Sequence, residues 1–518
     1  MKKKEAKIIK IGEGKFSREK IRRFASVALP FLAIFSIIFF LFSRFEFNPQ
    51  NPYFSGEDAF YHVGMAKYIM EHGITQHFPY LYFTVLNENF VDHHFLFHLI
   101  LIPFISIFGD IAGPKIFISL MVAGIFAMVY LILRHKNFRY PAIYPFMLFL
   151  LMPSDFYFRI AFIRDPAPSL FFMVVLLYLM FKRKYLAIGI LAFFYVWLYN
   201  AFPFIALLVG AYAFSQFFTE KKVDWKIVAY AIGGMVLGLI INPYFPKNIS
   251  FFFVQVFDTG LGAQSYTGGE WRPYDSWYWY SISMVPIFIF FGGIVISFLK
   301  NTRRDAKDMT LLIISLVILV LQCKSKRFVE YWPFWASLTG IVFCGKYIEE
   351  RLTGLIKKFY DPEGLIIASI LIIMLPSVLK YHNEQYTKGY DDTTTNFDIP
   401  AATEVNEYLK SKSNEGDIVF TDDWDVFPVY FFLNDKNYYL VGLDPEYMNK
   451  FDPNLYKEYA DISSGRDGKD LGRIKTDFKS SWVLIANDHM NFKANLDKEP
   501  KLFENVYSNG KYFLYKVL

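Results

Sequence analysis

The sequence predicts a polytopic α-helical membrane protein of about eleven spans followed by a soluble α/β domain, and three observations carry that reading. Hydrophobic residues make up 54% of the chain and aromatic residues 20%, with a positive mean hydropathy over 518 residues. Apolar stretches recur from Ser26 to Leu379, separated by short charged loops. After Leu379 the pattern changes to short apolar runs punctuated by Pro, Gly, Asn and Asp, with no further span.

The elements follow in order. The net charge of +6 is concentrated between Lys2 and Arg23, which marks residues 1–25 as a cytoplasmic tail rather than a nucleic-acid patch. The apolar stretch from Ser26 to Ser43 has no small-residue cleavage site after it, so it is read as a retained first span. Phe95 to Phe108 is apolar but shorter than the about 20 residues that a span needs. Charge decides its placement. If it lies in the interface, the loops carrying Arg134, Lys136 and Arg139, then Lys182, Arg183 and Lys184, then Lys221 and Lys222, then Arg303, Arg304 and Lys307, then Arg351, Lys357 and Lys358 all fall inside. The transmembrane region, 26–379, is thus expected to hold spans starting near Ser26, Lys115, Pro141, Pro166, Tyr185, Ala201, Lys226, Ser281, Met309, Pro333 and Gly364. The N-terminus is cytoplasmic and the C-terminus outside. No sorting signal is visible, which points to a plasma membrane. Cys323 and Cys344 have no metal-binding spacing and give no disulfide framework.

This topology exposes four segments on the outer face: 44–114, 153–165, 245–280 and the tail 380–518. The tail reads as one α/β domain, with a helix from Ala401 to Lys412 and strands at Asp417 to Thr421, Asn437 to Gly442, Ser481 to Ala486 and Lys511 to Val517.

Each loop carries candidate chemistry. The first holds Gly56-Glu57-Asp58-Ala59-Phe60-Tyr61-His62 and later Asp92-His93-His94. His62, His72, His77, His93, His94 and His98 crowd into it, out of nine histidines in the chain, and His94 and His98 share a helix face. The second runs from Phe156 to Asp165 and Pro166, with Arg159 and Arg164 between, and Pro166 suits the first turn of the next helix. The third contains Gly268-Gly269-Glu270-Trp271-Arg272-Pro273, where the glycines let a carboxylate approach a ligand closely. Lys324, Lys326 and Arg327 break the charge rule by lying in a short outside loop at headgroup depth, where an arginine fork matches phosphate oxygens.

Together these segments resemble the GT-C glycosyltransferases, and among them the catalytic subunit of oligosaccharyltransferases. Gly56 to His62 resembles the family's first-loop acid motif, with Ala59 in place of its proline. Arg159 to Asp165 resembles the second-loop motif, whose further acid is Ala167 here. Glu270 with Pro273 resembles the fifth-loop glutamate motif, and Arg327-Phe328 the segment that contacts the lipid-linked donor. Of the family's Trp-Trp-Asp-Tyr-Gly acceptor motif, only Trp424 and Asp425 match.

The resemblance implies a transferase that moves a sugar or oligosaccharide from a polyprenyl-(di)phosphate donor to a protein or glycan acceptor. Asp58, Asp165 and Glu270 are expected to hold one Mg²⁺ or Mn²⁺, since hard oxygen ligands suit hard cations. Asp58 and Glu270 act on the reacting groups. Arg327, Lys324 and Lys326 bind the donor phosphate, and His93, His94, Arg159, Trp271, Arg272, Trp424 and Asp425 face substrate or acceptor. Two alternatives stand beside it. One is a single-sugar polyprenyl-phosphate transferase with no need for metal. The other is a transporter or flippase, against which the lack of an internal repeat counts.

Overall fold

A computed structural model describes residues 18–259, 269–357, 376–377, 379–388, 398–466 and 468–518. Four helices are long and apolar enough to cross a bilayer: Lys20–Glu46, Ala112–His135, Ser276–Leu299 and Ala306–Lys324. Shorter apolar helices, Phe95–Phe108, Pro166–Phe181, Tyr185–Leu198 and Trp225–Ile240, pack among them, together with Pro203–Glu220 and Trp332–Lys357. The span expected near Gly364 lies outside the described residues.

Ala112–His135 is the most enclosed long helix, packed between the first helix and Pro166–Phe181. Two helix pairs approach closely because glycines face each other. A Cβ on Gly234 would lie 2.1 Å from the Gly189 carbonyl oxygen, and one on Gly293 would lie 2.5 Å from that of Gly340. Without a hydrophobic drive between helices in lipid, such backbone contact supplies the packing. The opposite face of Ser276–Leu299 stays apolar and exposed at Phe288, Phe291 and Phe298, as a lipid-facing surface would.

The stretch from Pro141 departs from the expected single span. It forms a short helix, Ile143–Leu150, then breaks, and resumes as Ser154–Ile160. Eight residues of helix reach only about 12 Å, and Pro153, extended at ψ 162, has no N–H to continue the ladder. This break turns the second loop motif inward.

The tail builds a five-stranded sheet from β1 (Ile418–Thr421), β2 (Tyr438–Tyr439), β3 (Ser480–Ala486), β4 (Phe503–Ser508) and β5 (Tyr512–Val517). The order is β2-β1-β3-β5-β4, with β1 parallel to β2 and β3, and β5 antiparallel to β3 and β4. The helix Ile399–Lys412 matches the expected one. β4 was not foreseen; its exposed Glu504, Asn505 and Ser508 suit the outer strand of the sheet. The edge beside β2 does not stay open. Leu81 bridges Tyr439 in parallel, and the Tyr82 and Phe83 N–H groups donate to Tyr439 and Leu440 at 2.8 and 3.0 Å. The first loop is thereby stitched to the tail, and one hydrophobic core runs from the helices into the tail sheet. Loops from both regions meet at the site described next.

Candidate functional site

The site is assembled on Phe162. Gly56 has φ +80, and a Cβ there would sit 3.3 Å from the Phe162 ring, so the first-loop motif can lie directly on the second-loop motif only through glycine. The same ring lies beneath two guanidiniums, with Arg159 at 5.1 Å and Arg164 at 5.2 Å from its centroid.

These arginines gather three carboxylates from distant parts of the chain. Arg164 Nη1 donates to Asp58 Oδ2 at 2.6 Å, and its Nη2 lies 3.4 Å from Glu330 Oε1 and 3.7 Å from Glu270 Oε2. Arg159 donates to Glu330 Oε1 from Nε at 2.8 Å and Nη2 at 2.5 Å, and to Glu270 Oε2 from Nη1 at 2.8 Å. Arg327 Nε is 3.1 Å from Glu270 Oε1, and its guanidinium stacks on Trp271 at 4.5 Å. Burial would raise the Glu270 carboxyl pKa, but Arg327, Arg159 and Arg164 hold it well below the usual carboxylate range. The short Gly269–Trp271 helix is fixed by Ser325 Oγ donating to the Glu270 carbonyl at 3.0 Å and Lys326 N–H to that of Arg272 at 3.0 Å.

Asp58 heads the helix Asp58–His72 and keeps an open carboxylate, its side chain 44% exposed. Acids from the tail approach the same space. Burial and, more durably for an exposed residue, the charges of Asp58, Glu57, Asp423 and Glu270 push Asp425 up to about 7. Asp444, after β2, is pushed up to about 7 by burial and by Glu446 and Glu270, against the opposing pull of Arg327.

Asp165 faces elsewhere. It precedes Pro166–Phe181 without capping that helix through its side chain, and its Oδ2 lies 2.5 Å from His94 Nδ1 in a buried histidine cluster. Asp58, Asp165 and Glu270 therefore do not form the single cation cluster expected from sequence. Two groups of ligand atoms lie within 4.8 Å of one another among the described residues, His62/His94/Asp165 and Asp422/Asp488/His489, and neither includes Asp58 or Glu270. The physical reason is that guanidiniums pair with both oxygens of Glu270 and with Asp58 Oδ2, while Asp165 turns to the histidines.

The other expected residues divide similarly. His93 lies against His94 with centroids 3.8 Å apart and planes tilted by 46°, and against Phe251. Lys326 lies over Tyr274, while Lys324 ends its helix exposed, and the Arg272 side chain is also exposed. Trp424 packs against the tail's own core. Glu330, Asp444 and the individual role of Arg164 were not anticipated. Glu330 carried a signal: an acid three residues after Arg327, at the start of an apolar segment, needs a buried cation.

No family model matches the chain, and no curated relative matches it. Solved structures do. The apo crystal structure of the Archaeoglobus fulgidus oligosaccharyltransferase superposes with TM-score 0.63 at 12% identity, covering 94% of this chain and 74% of that one. AglB from the same organism, in complex with an inhibitory peptide and a dolichol-phosphate, gives the same values. ArnT from Cupriavidus metallidurans bound to undecaprenyl phosphate gives TM-score 0.56 at 12% identity, covering 95% and 98%. The chain has the fold of these structures. Its four helices long and apolar enough to cross a bilayer suit a multi-pass membrane protein.

Proposed function

We propose that the protein is a glycosyltransferase that moves a sugar or oligosaccharide from a polyprenyl-linked phosphate donor to an acceptor at the outer surface of the plasma membrane. The observation that carries this reading is the convergence of Arg159, Arg164 and Arg327 with Asp58, Glu270 and Glu330 where the loops meet the tail sheet. The donor leaves as an anionic lipid phosphate. Arg327, half-shielded on Trp271, presents a fork that matches phosphate oxygens, and Lys326 adds charge from the same loop. Arg159 and Arg164, held by the buried Glu330, keep the positive field fixed so that it need not reorganise as the leaving group develops charge. Asp58 orients the acceptor nucleophile from its exposed carboxylate. The acceptor enters between Asp58 and the tail acids Asp425 and Asp444.

The GT-C resemblance implies a divalent ion, Mg²⁺ or Mn²⁺. Glu270 has both carboxylate oxygens engaged by guanidiniums and Asp58 has its Oδ2 engaged, so in this arrangement the two do not fit that role together, and no step here runs through a metal at those residues.

The two sets of relatives support two donor classes. The structure with peptide and dolichol-phosphate supports an oligosaccharyltransferase-like reaction; the structure with undecaprenyl phosphate, matched over nearly its whole length, supports a single-sugar transferase using a monophosphate donor. Purified enzyme offered mixed polyprenyl-phosphate and polyprenyl-diphosphate sugars, with a sequon peptide and a free glycan, separates them. Glycopeptide formation supports the first and glycan extension the second. No transfer from either donor class would overturn the proposal.

A further inference from the structure

The histidine cluster around Asp165 is not used by the chemistry just described, and its geometry is incomplete as it stands. Asp165 Oδ2 lies 2.5 Å from His94 Nδ1, yet the ring N–H is not aligned on the oxygen. His94 Nδ1 and Asp165 Oδ1 are both buried without a hydrogen-bond partner, and the Asp165 side chain is 1% exposed.

The third member, His62, is set up by a relay. Asp92 Oδ2 accepts from His98 Nδ1 at 2.7 Å, and His98 Nε2 meets His62 Nδ1 at 2.8 Å. In the neutral chain, Asp92 fixes the proton on His98 Nδ1, so His98 Nε2 accepts from His62 Nδ1. His62 Nε2 is left with a lone pair. Asp92 thus orients the ligating His62 through His98, a relay one imidazole longer than the direct carboxylate–histidine support of metal sites. Asp92 also accepts from the His94 backbone N–H at 3.0 Å, which ties the second imidazole to the same anchor.

We propose that His62, His94 and Asp165 form a divalent transition-metal site of the Zn²⁺ class, beside the arginine cluster but separate from it. Ligand atoms from the three side chains lie within 4.8 Å of one another. Tetrahedral ligands at about 2.0–2.1 Å from an ion sit about 3.4 Å apart, so small rotations close the site. Two imidazoles and one carboxylate select a borderline metal over Mg²⁺, which takes oxygen shells. The adjacent Arg164 is turned toward Asp58 and Glu330, so its guanidinium is not hydrogen-bonded to Asp165. The inference rests on this geometry and not on sugar transfer.

The test uses the whole detergent-purified protein, stripped with chelator and titrated with Co²⁺, whose visible absorption reports imidazole coordination. The expected result is about one ion per chain, displaced by Zn²⁺ but not by Mg²⁺. Asp165→Asn and His94→Gln should lose the absorption, Asp92→Asn should weaken binding about ten- to a hundredfold, and His489→Gln should leave it intact. No cobalt binding by the parent protein, or undiminished binding by Asp165→Asn and His94→Gln, would overturn the site. Should a variant fail to stay monodisperse, zinc-edge X-ray absorption of the parent protein decides. Two imidazole nitrogens and a carboxylate oxygen support the assignment, and an all-oxygen shell overturns it. Neither measurement involves donor or acceptor, so a protein that binds zinc but transfers nothing refutes only the proposed function.

Discussion

Arg164 and Asp58 form a 2.6 Å ion pair between residues drawn from separate loops, and the arginine is almost fully buried while the carboxylate is open. The pair converts the motif order of the sequence into a fixed distance. Replacing Arg164 by lysine keeps the charge but leaves one nitrogen where a fork served Asp58 and Glu330. We expect Arg164→Lys to lower kcat/KM for sugar transfer by about 10²-fold through misplacement of Asp58. The melting temperature should also fall, because Glu330 loses one of its two cationic partners. A variant with the parent rate would separate this guanidinium from the chemistry.

Asp58→Ala tests the nucleophile side. Its carboxylate is open and Arg164 keeps Glu330, so stability should fall by only about 1 kcal/mol while transfer drops at least about 10²-fold. Glu270→Ala should also abolish transfer, with a larger loss of stability, since Arg159 and Arg327 then share no carboxylate. Thermal melts paired with transfer assays check both, and normal transfer by either variant removes that residue from the mechanism.

How much of this arrangement the sequence displays depends on the kind of interaction. Periodicity and charge expose the long helices, the Pro166 helix start and most strands of the tail, because each depends on local pattern. The break at Pro153 needed knowledge of where the neighbouring helices end, and β4 is polar because one side lies at the sheet edge. At the site, the loop acids stand out as isolated carboxylates in an apolar chain, but their partners do not. Nothing in the spacing of Asp58, Asp165 and Glu270 reveals that arginines would claim two of them while histidines far upstream claim the third. Histidine crowding between His62 and His98 was the visible trace of that cluster.

Arg327 tests the donor side. With its guanidinium stacked on Trp271 and beside Glu270, it offers the phosphate a planar fork that lysine cannot copy. We expect Arg327→Lys and Arg327→Ala to raise the donor KM by similar factors, roughly tenfold or more for a lost charge-assisted bond, with the acceptor KM unchanged. A selective rise in acceptor KM would move Arg327 to the other substrate.

Asp425 should imprint a pH dependence. Its carboxyl is pushed up to about 7, so it is neutral in mild acid and ionises near neutrality. If the anion engages the acceptor, kcat/KM rises through an inflection near pH 7, and Asp425→Asn flattens that inflection while leaving donor KM unchanged. A profile identical in the two proteins would assign the inflection to another group.

His489 gives the tail a pH-dependent stability of opposite origin. Its imidazole lies 3.1 Å from the buried Asp422, which also accepts the Ala486 N–H at 2.6 Å, so the loops after β1 and β3 close on one carboxylate. The hydrogen bond to Asp422 leads the causes that raise His489 from 6.5 to about 9. The folded pKa exceeds the unfolded one, so the stabilisation is complete below about pH 6.5 and disappears as pH rises through about 9. Allowing for partial exposure, its size is of order 2 kcal/mol. Thermal melts in chelator from pH 6 to 10 should show the parent protein losing stability across that window, while His489→Gln starts lower and lacks the decline. Equal slopes in both would mean that Asp422 is neutralised by something other than this imidazole.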